Sequence, residues 1–330
     1  MKKLLLTSAL AGSLLISVSA SAEMKIKGYV ETTMGSGETP ATSNVTNQGT
    51  SIGYETGVTF SGKKELDNGM SMSTKATLED TKFKNQSMAF SADGTTIFIG
   101  QDYHGLDDKQ TVPTVANKIE DGNKGLGVSY NNNKISIHGN NGVGIMNKGD
   151  MGTIAVYYTP KSTNDSANDS NPKNDGKTGS GTAIGFQGGL GIEGLSTNIF
   201  RTVSTKAGTS ASEMTMTGYG VKYTMGSISA GAQKTEVDDA TLAGAFSANS
   251  EVEYISYGAT FAATDALSLG VQYAETSLTG AAQDEEVLSV TVGYNLGGQV
   301  VTVQYTDVEN ADTTKNSDGS AIELRIKSSF

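Results

Sequence analysis

The segment Ser320-Ala321-Ile322-Glu323-Leu324-Arg325-Ile326-Lys327-Ser328-Ser329-Phe330 decides the fold. Ile322, Leu324, Ile326 and Phe330 fall on one parity, and Glu323, Arg325, Lys327 and Ser329 on the other. A period of two is the mark of a β-strand with one apolar and one polar face. The same alternation recurs upstream in Leu267, Leu269, Val271, Tyr273, in Leu288, Val290, Val292, Tyr294, and in Val301, Val303, Tyr305. The intervening positions are small or polar, as in Ser268, Gly270 and Gln272. A soluble sandwich would alternate in the same way, so strand number, strand length and connections must separate the two.

Extending this reading over the chain predicts strands near 24–34, 50–65, 70–83, 86–92, 95–101, 126–140, 152–159, 181–189, 195–204, 214–225, 227–236, 251–262, 266–277, 286–296, 299–309 and 320–330. That gives about sixteen strands, the even number a bacterial barrel requires. Tight turns are expected at Asp67-Asn68-Gly69, Asp93-Gly94, Met225-Gly226, Ala263-Thr264-Asp265 and Asn295-Leu296-Gly297-Gly298, where Gly, Asn and Asp supply positive φ. Long connections fall at 35–49, 102–125, 160–180, 205–213, 237–250, 277–285 and 310–319. Short turns on one rim and long loops on the other describe an all-β, transmembrane antiparallel barrel with short periplasmic turns and long external loops. Asn131-Asn132-Asn133 reads as a bulge inside the 126–140 strand, where the apolar series changes parity.

A closed barrel pairs every backbone N–H and C=O and shows lipid only alternate side chains, so a mean hydropathy of −0.28 is compatible with a membrane. Tyr54, Tyr219, Tyr223, Tyr257, Tyr273, Tyr294 and Tyr305, with Phe60, Phe261 and Phe330, share the apolar parity and fit interfacial girdles, although Trp is absent. At the N-terminus, Lys2 and Lys3 precede an apolar stretch and Ala20-Ser21-Ala22, the three parts of a secretory signal peptide cut after Ala22. Residues 1–22 are therefore expected to be the signal peptide and 23–330 the barrel. Without the two lysines, 22 bases face 35 acids, a net charge of 22 − 35 = −13, which argues against nucleic acid as a partner. Zero Cys removes any disulfide framework or thiolate metal site.

Catalytic patterns do not assemble. Gly189-Leu190-Gly191-Ile192-Glu193-Gly194 matches a dinucleotide fingerprint by letter, but it lies between two alternating strands and reads as a turn. Gly176-Lys177-Thr178 lacks the first P-loop glycine, and His104 and His138 are the only histidines. No enzymatic activity and no cofactor are expected. The Asp-rich stretch from Asn164 to Asp175 could hold Ca²⁺ loosely, yet the ordered oxygen spacing of a calcium loop is missing.

In Gly218-Tyr219-Gly220-Val221-Lys222-Tyr223, in Val292-Gly293-Tyr294-Asn295-Leu296-Gly297-Gly298 and in the closing strand ending on Phe330, the chain resembles the Gram-negative general-diffusion porins, most closely the alphaproteobacterial type. The resemblance implies an outer-membrane, water-filled channel for passive diffusion of small hydrophilic solutes and ions. It also implies three associated barrels, recognition by the barrel-assembly machinery, contact with outer-membrane lipid and lipopolysaccharide, and a third external loop folded inward. That loop would be 102–125, with Asp102, Asp107, Asp108, Glu120 and Asp121 as the acidic side of a constriction. The basic side would comprise Lys27, Lys75 and Arg325 near mid-strand, with Lys25, Lys63, Lys222 and Lys327 nearer strand ends. Opposed charges across an aqueous gap create a transverse field that favours polar solutes. With only two Arg in the chain, the arginine ladder of many such channels is missing. Two other functions fit the same residues: a substrate-selective channel for a sugar or other nutrient, hinted at by the inward parity of Tyr29 and Tyr157, and a secreted β-rich adhesin or surface-layer protein.

Overall fold

The structure, a computed structural model, describes residues 23–38, 49–79, 82–100, 111–115, 142–160, 180–205, 213–238, 251–311 and 318–330. Sixteen strands follow one another: β1 (Glu23–Glu38), β2 (Gly49–Glu65), β3 (Ser71–Glu79), β4 (Lys82–Ala92), β5 (Thr95–Gly100), β6 (Gly142–Gly149), β7 (Gly152–Thr159) and β8 (Gly181–Gly188). They continue with β9 (Leu195–Thr205), β10 (Glu213–Met225), β11 (Ile228–Asp238), β12 (Val252–Ala262), β13 (Leu267–Leu278), β14 (Glu285–Asn295), β15 (Gln299–Glu309) and β16 (Gly319–Ser329). Each pairs antiparallel with its sequence neighbours, and β1 pairs with β16 to close the barrel. Closure leaves no sheet edge among these strands, which is what allows so polar a chain to lie in lipid.

The predicted parity is the observed one. Outward positions on β13 to β15 carry Leu269, Val271, Leu288, Val290, Val292, Tyr294, Val303 and Tyr305, all exposed, while Gln272, Ser289, Thr291, Thr302 and Gln304 on the other parity are buried. A water-soluble sandwich would hide the first set and show the second, so this inside-out pattern removes the soluble alternative. The expected tyrosines at 54, 219, 223, 257, 294 and 305 all face outward. On the outward face of β11, Lys234 binds Glu236 at 3.0 Å and Glu253 at 2.5 Å, so this cation is paired.

Turn chemistry follows the sequence. Gly69, Asp93, Gly94 and Gly226 take positive φ in the short connections, and Leu190, Gly191 and Gly194 do so between β8 and β9, so the fingerprint-like glycines form a turn. The expected sixth strand is a correction. Residues 126–140 lie outside the described residues, and the strand between β5 and β7 is Gly142–Gly149. The apolar series of β6 is only Val143 and Ile145, with Gly142 and Gly144 opposite, and such a short glycine-diluted run gave way to the longer series before it. The asparagine triplet 131–133 also lies outside the described residues. The register shift in the described sheet lies instead in the β3–β4 pairing, between Lys75 and Thr77.

Inward aromatics lie flat against the wall because the neighbouring strand offers a glycine. A Cβ on Gly57 would fall inside the Tyr29 ring, one on Gly144 inside Phe98, one on Gly142 against Tyr157, and one on Gly218 inside Phe200. Phe98 and Tyr157 then stack at 5.6 Å with planes 12° apart, and the Tyr157 hydroxyl donates to the Gly100 carbonyl at 2.8 Å. Large rings can thus line the interior without standing across it.

Candidate functional site

The register gathers six of the seven predicted basic residues on one contiguous wall made by β16, β1, β2 and β3. Lys25 and Lys27 point inward from β1, Lys63 from β2, Lys75 from β3, and Arg325 and Lys327 from β16. Lys25, Lys63 and Lys75 border one hollow of about 270 Å³ that Ser61, Ser73 and Ser87 also line. Lys222 is the exception. It sits on β10, across from Gly231, on the far side of the barrel.

This wall is not the purely basic surface that the sequence suggested. Glu31, 4% exposed, accepts from Arg325 Nε at 3.0 Å and lies 3.2 Å from Lys327 Nζ. The Lys327 ammonium also stands 4.2 Å from the centre of the Tyr29 ring, whose hydroxyl donates to Glu55. Nearer the periplasmic mouth, Lys25 pairs with Glu23 at 2.7 Å and Lys63 with Glu65 at 3.2 Å, all more than half exposed. Such exposed pairs are screened by salt, so they shape potential rather than stability. Inward positions on these four strands therefore hold Lys25, Lys27, Lys63, Lys75, Arg325 and Lys327 against Glu23, Glu31, Glu55, Glu65, Glu79 and Glu323. Bases and acids balance. Glu31 was missed because its partners lie some three hundred residues away, and only the β1–β16 register, Glu31 opposite Lys327, brings them together.

The acidic side of the expected constriction, Asp102, Asp107, Asp108, Glu120 and Asp121, lies outside the described residues. Thr111-Val112-Pro113-Thr114-Val115, from the same loop, is described, and it lies inside the barrel against β10 to β13. It comes so close that a Cβ on Gly220 or Gly231 would collide with Thr111, one on Gly258 with the Val112 side chain at 2.5 Å, and one on Gly270 with the Val115 side chain at 2.6 Å. Thr111 N–H donates to Gln233 Oε1 at 3.1 Å, and its hydroxyl donates to the Ala232 carbonyl at 3.0 Å. Val112 and Val115 are 3% and 2% exposed, so each side chain contributes ~1.5–3 kcal/mol by leaving water. The sequence carried a signal for this contact: 111–115 contains four β-branched residues and a proline in an otherwise charged loop, and wall glycines recur on inward parity.

In a ring of sixteen strands, β11 stands eight places from β3. The loop segment and the charged wall are therefore on opposite sides of the interior. Tyr157 takes no part in it, since its side chain is fully buried.

A family model described as Gram-negative porin matches residues 7–317. No curated protein matches the chain. Among solved structures it is similar to an anion-selective porin from Comamonas acidovorans, at 12% identity over 94% of this chain and 100% of that one, with a TM-score of 0.66. It is also similar to the outer membrane channel DcaP of Acinetobacter baumannii, at 10% identity over 95% and 99%, with a TM-score of 0.68. The trimer form of OmpT, an outer membrane protein of Vibrio cholerae, matches at 11% identity over 94% and 100%, with a TM-score of 0.64. At these identities the likeness to solved structures is one of fold.

Proposed function

The chain belongs to the Gram-negative porin family, and from that premise we propose that it passes small hydrophilic solutes and ions without chemical change, through a gap between its third loop and the β16–β3 wall. It is a diffusion channel of the outer membrane. The observation that carries the finer reading is segment 111–115, held inside a closed barrel opposite a wall of mixed charge. Balanced wall charge supports weak ion selectivity, because a transverse field orders water and polar solutes without rejecting either sign of ion. We assign the loop acids Asp102, Asp107, Asp108, Glu120 and Asp121 to the gap on their place in the loop that carries this segment.

The protein works without a cofactor, is exported by residues 1–22, and assembles as a homotrimer in contact with lipopolysaccharide. The trimer reading is supported by the trimer form among similar structures. The test is single-channel conductance of the purified protein in a planar bilayer, with a reversal potential under a salt gradient. Stepwise, non-rectifying conductance with a reversal potential near zero is the expected result. An electrically silent barrel would overturn the channel, and a reversal potential near the limit for one ion would overturn weak selectivity.

A further inference from the structure

Gly220, Gly231, Gly258 and Gly270 occupy inward positions on four consecutive strands, β10 to β13, inside regular pairing. The strands themselves do not require glycine there. None of the four has a positive φ, and none lies in a turn or at the register shift. Nearby inward positions carry side chains of ordinary size, Gln233, Ser256 and Gln272 among them. Gly231 stands directly across from Gly258, so the missing side chains form one continuous depression. Thr111, Val112 and Val115 fill it, and each glycine would collide with one of them if it carried a Cβ. At one end of the depression Gln233, itself 2% exposed, receives the Thr111 amide, so a backbone donor buried by docking is satisfied.

We propose that this glycine depression, closed by Gln233, is a docking seat whose depth fixes how far the third loop stands into the lumen. These wall residues then determine the solute size limit although they lie on the opposite side of the barrel from the charged wall. A seat one side chain shallower would push the segment toward β3 or release it. Either way the cross-section changes with no charged residue altered. The inference rests on the channel reading and goes beyond it by naming what sets the aperture.

The absence of native Cys makes a cross-link the direct test. A Cβ on Gly220 would lie 3.0 Å from the Thr111 Cβ, close to the roughly 3.5–4.5 Å of a disulfide. The pair Thr111→Cys and Gly220→Cys is therefore expected to oxidise in the folded, membrane-inserted protein, which would place Thr111 on this wall in the working channel. Gly258→Leu, which fills the seat, should change conductance ~2-fold and shift the largest sugar admitted in liposome swelling, since conduction follows the narrowest cross-section. Val290→Ala, on the outward face of β14, serves as the control and should leave both readings unchanged.

A conducting barrel in which the cysteines do not cross-link would overturn the seat. So would an unchanged conductance in folded Gly258→Leu. Should Gly258→Leu fail to fold, the cysteine pair decides alone. Failure of the unmodified protein to conduct would count against the channel reading and not against the seat.

Discussion

Glu31 is the residue on which the charged wall turns. It is almost fully buried and holds both Arg325 and Lys327, so its removal leaves two cations facing each other without their shared counter-charge. Glu31→Gln should destabilise the barrel by about 3 kcal/mol, the scale of breaking a buried pair. A lower midpoint for loss of heat-modifiable mobility in urea would register it. The same substitution should move the reversal potential toward anions, more so at low salt, where the screening length is longer. Lys75→Glu should move it toward cations, and unaltered reversal potential in a folded Lys75→Glu channel would remove Lys75 from the conduction path. Arg325→Glu is a poorer probe because it would place a second carboxylate against Glu31. Parity alone put Arg325 inside. Its neutralisation was not legible, because parity says which face a side chain takes and nothing about which distant strand lies beside it.

At the level of strands and turns, alternation was legible wherever the outward series was long and branched, as in β13 to β16. It failed at β6, where two glycines leave a single short apolar pair and the eye is drawn to Leu126, Val128 and Tyr130. The inward glycines carry a second message that local reading misses, since each makes sense only against the ring or loop residue that it faces. Gly57→Leu should force the Tyr29 ring off the wall, separate it from Lys327 and narrow the path. Reduced conductance from a barrel of unchanged heat-modifiability would bear this out, whereas unchanged conductance would show that the ring has room elsewhere. Loop placement gives another check. An epitope inserted at Asp169 should be reached by antibody on intact cells, and one at Asp67, in the short β2–β3 turn, should not. The opposite labelling would invert the barrel.

For the molecule as a whole, the fold was readable because a membrane barrel repeats one simple rule sixteen times, and errors in a single strand do not disturb the rest. The site was less readable, since it is made by a loop meeting a wall whose strands lie more than one hundred residues further along the chain. The mature protein is expected to begin at Glu23, and an intact-mass measurement that retains Met1 would end that assignment.

The meeting of β1 and β16 has a bearing on time as well as on shape. Every other pairing joins strands that are neighbours in sequence and can form as hairpins, but this one brings Phe330 onto Gly28, with the two backbones exchanging hydrogen bonds of 2.8 and 2.9 Å and the ring resting on the glycine. Contacts of such separation form last, because the intervening chain must be arranged before they can reward the entropy spent. The seam is then the step that commits the protein: until it zips, two long edges stand ready to capture any passing strand, and afterwards none remains. A circular permutant, opened within 160–180 and joined across the seam by a short linker, would turn that last step into an ordinary hairpin. It should reach the same barrel faster, with less lost to aggregation along the way.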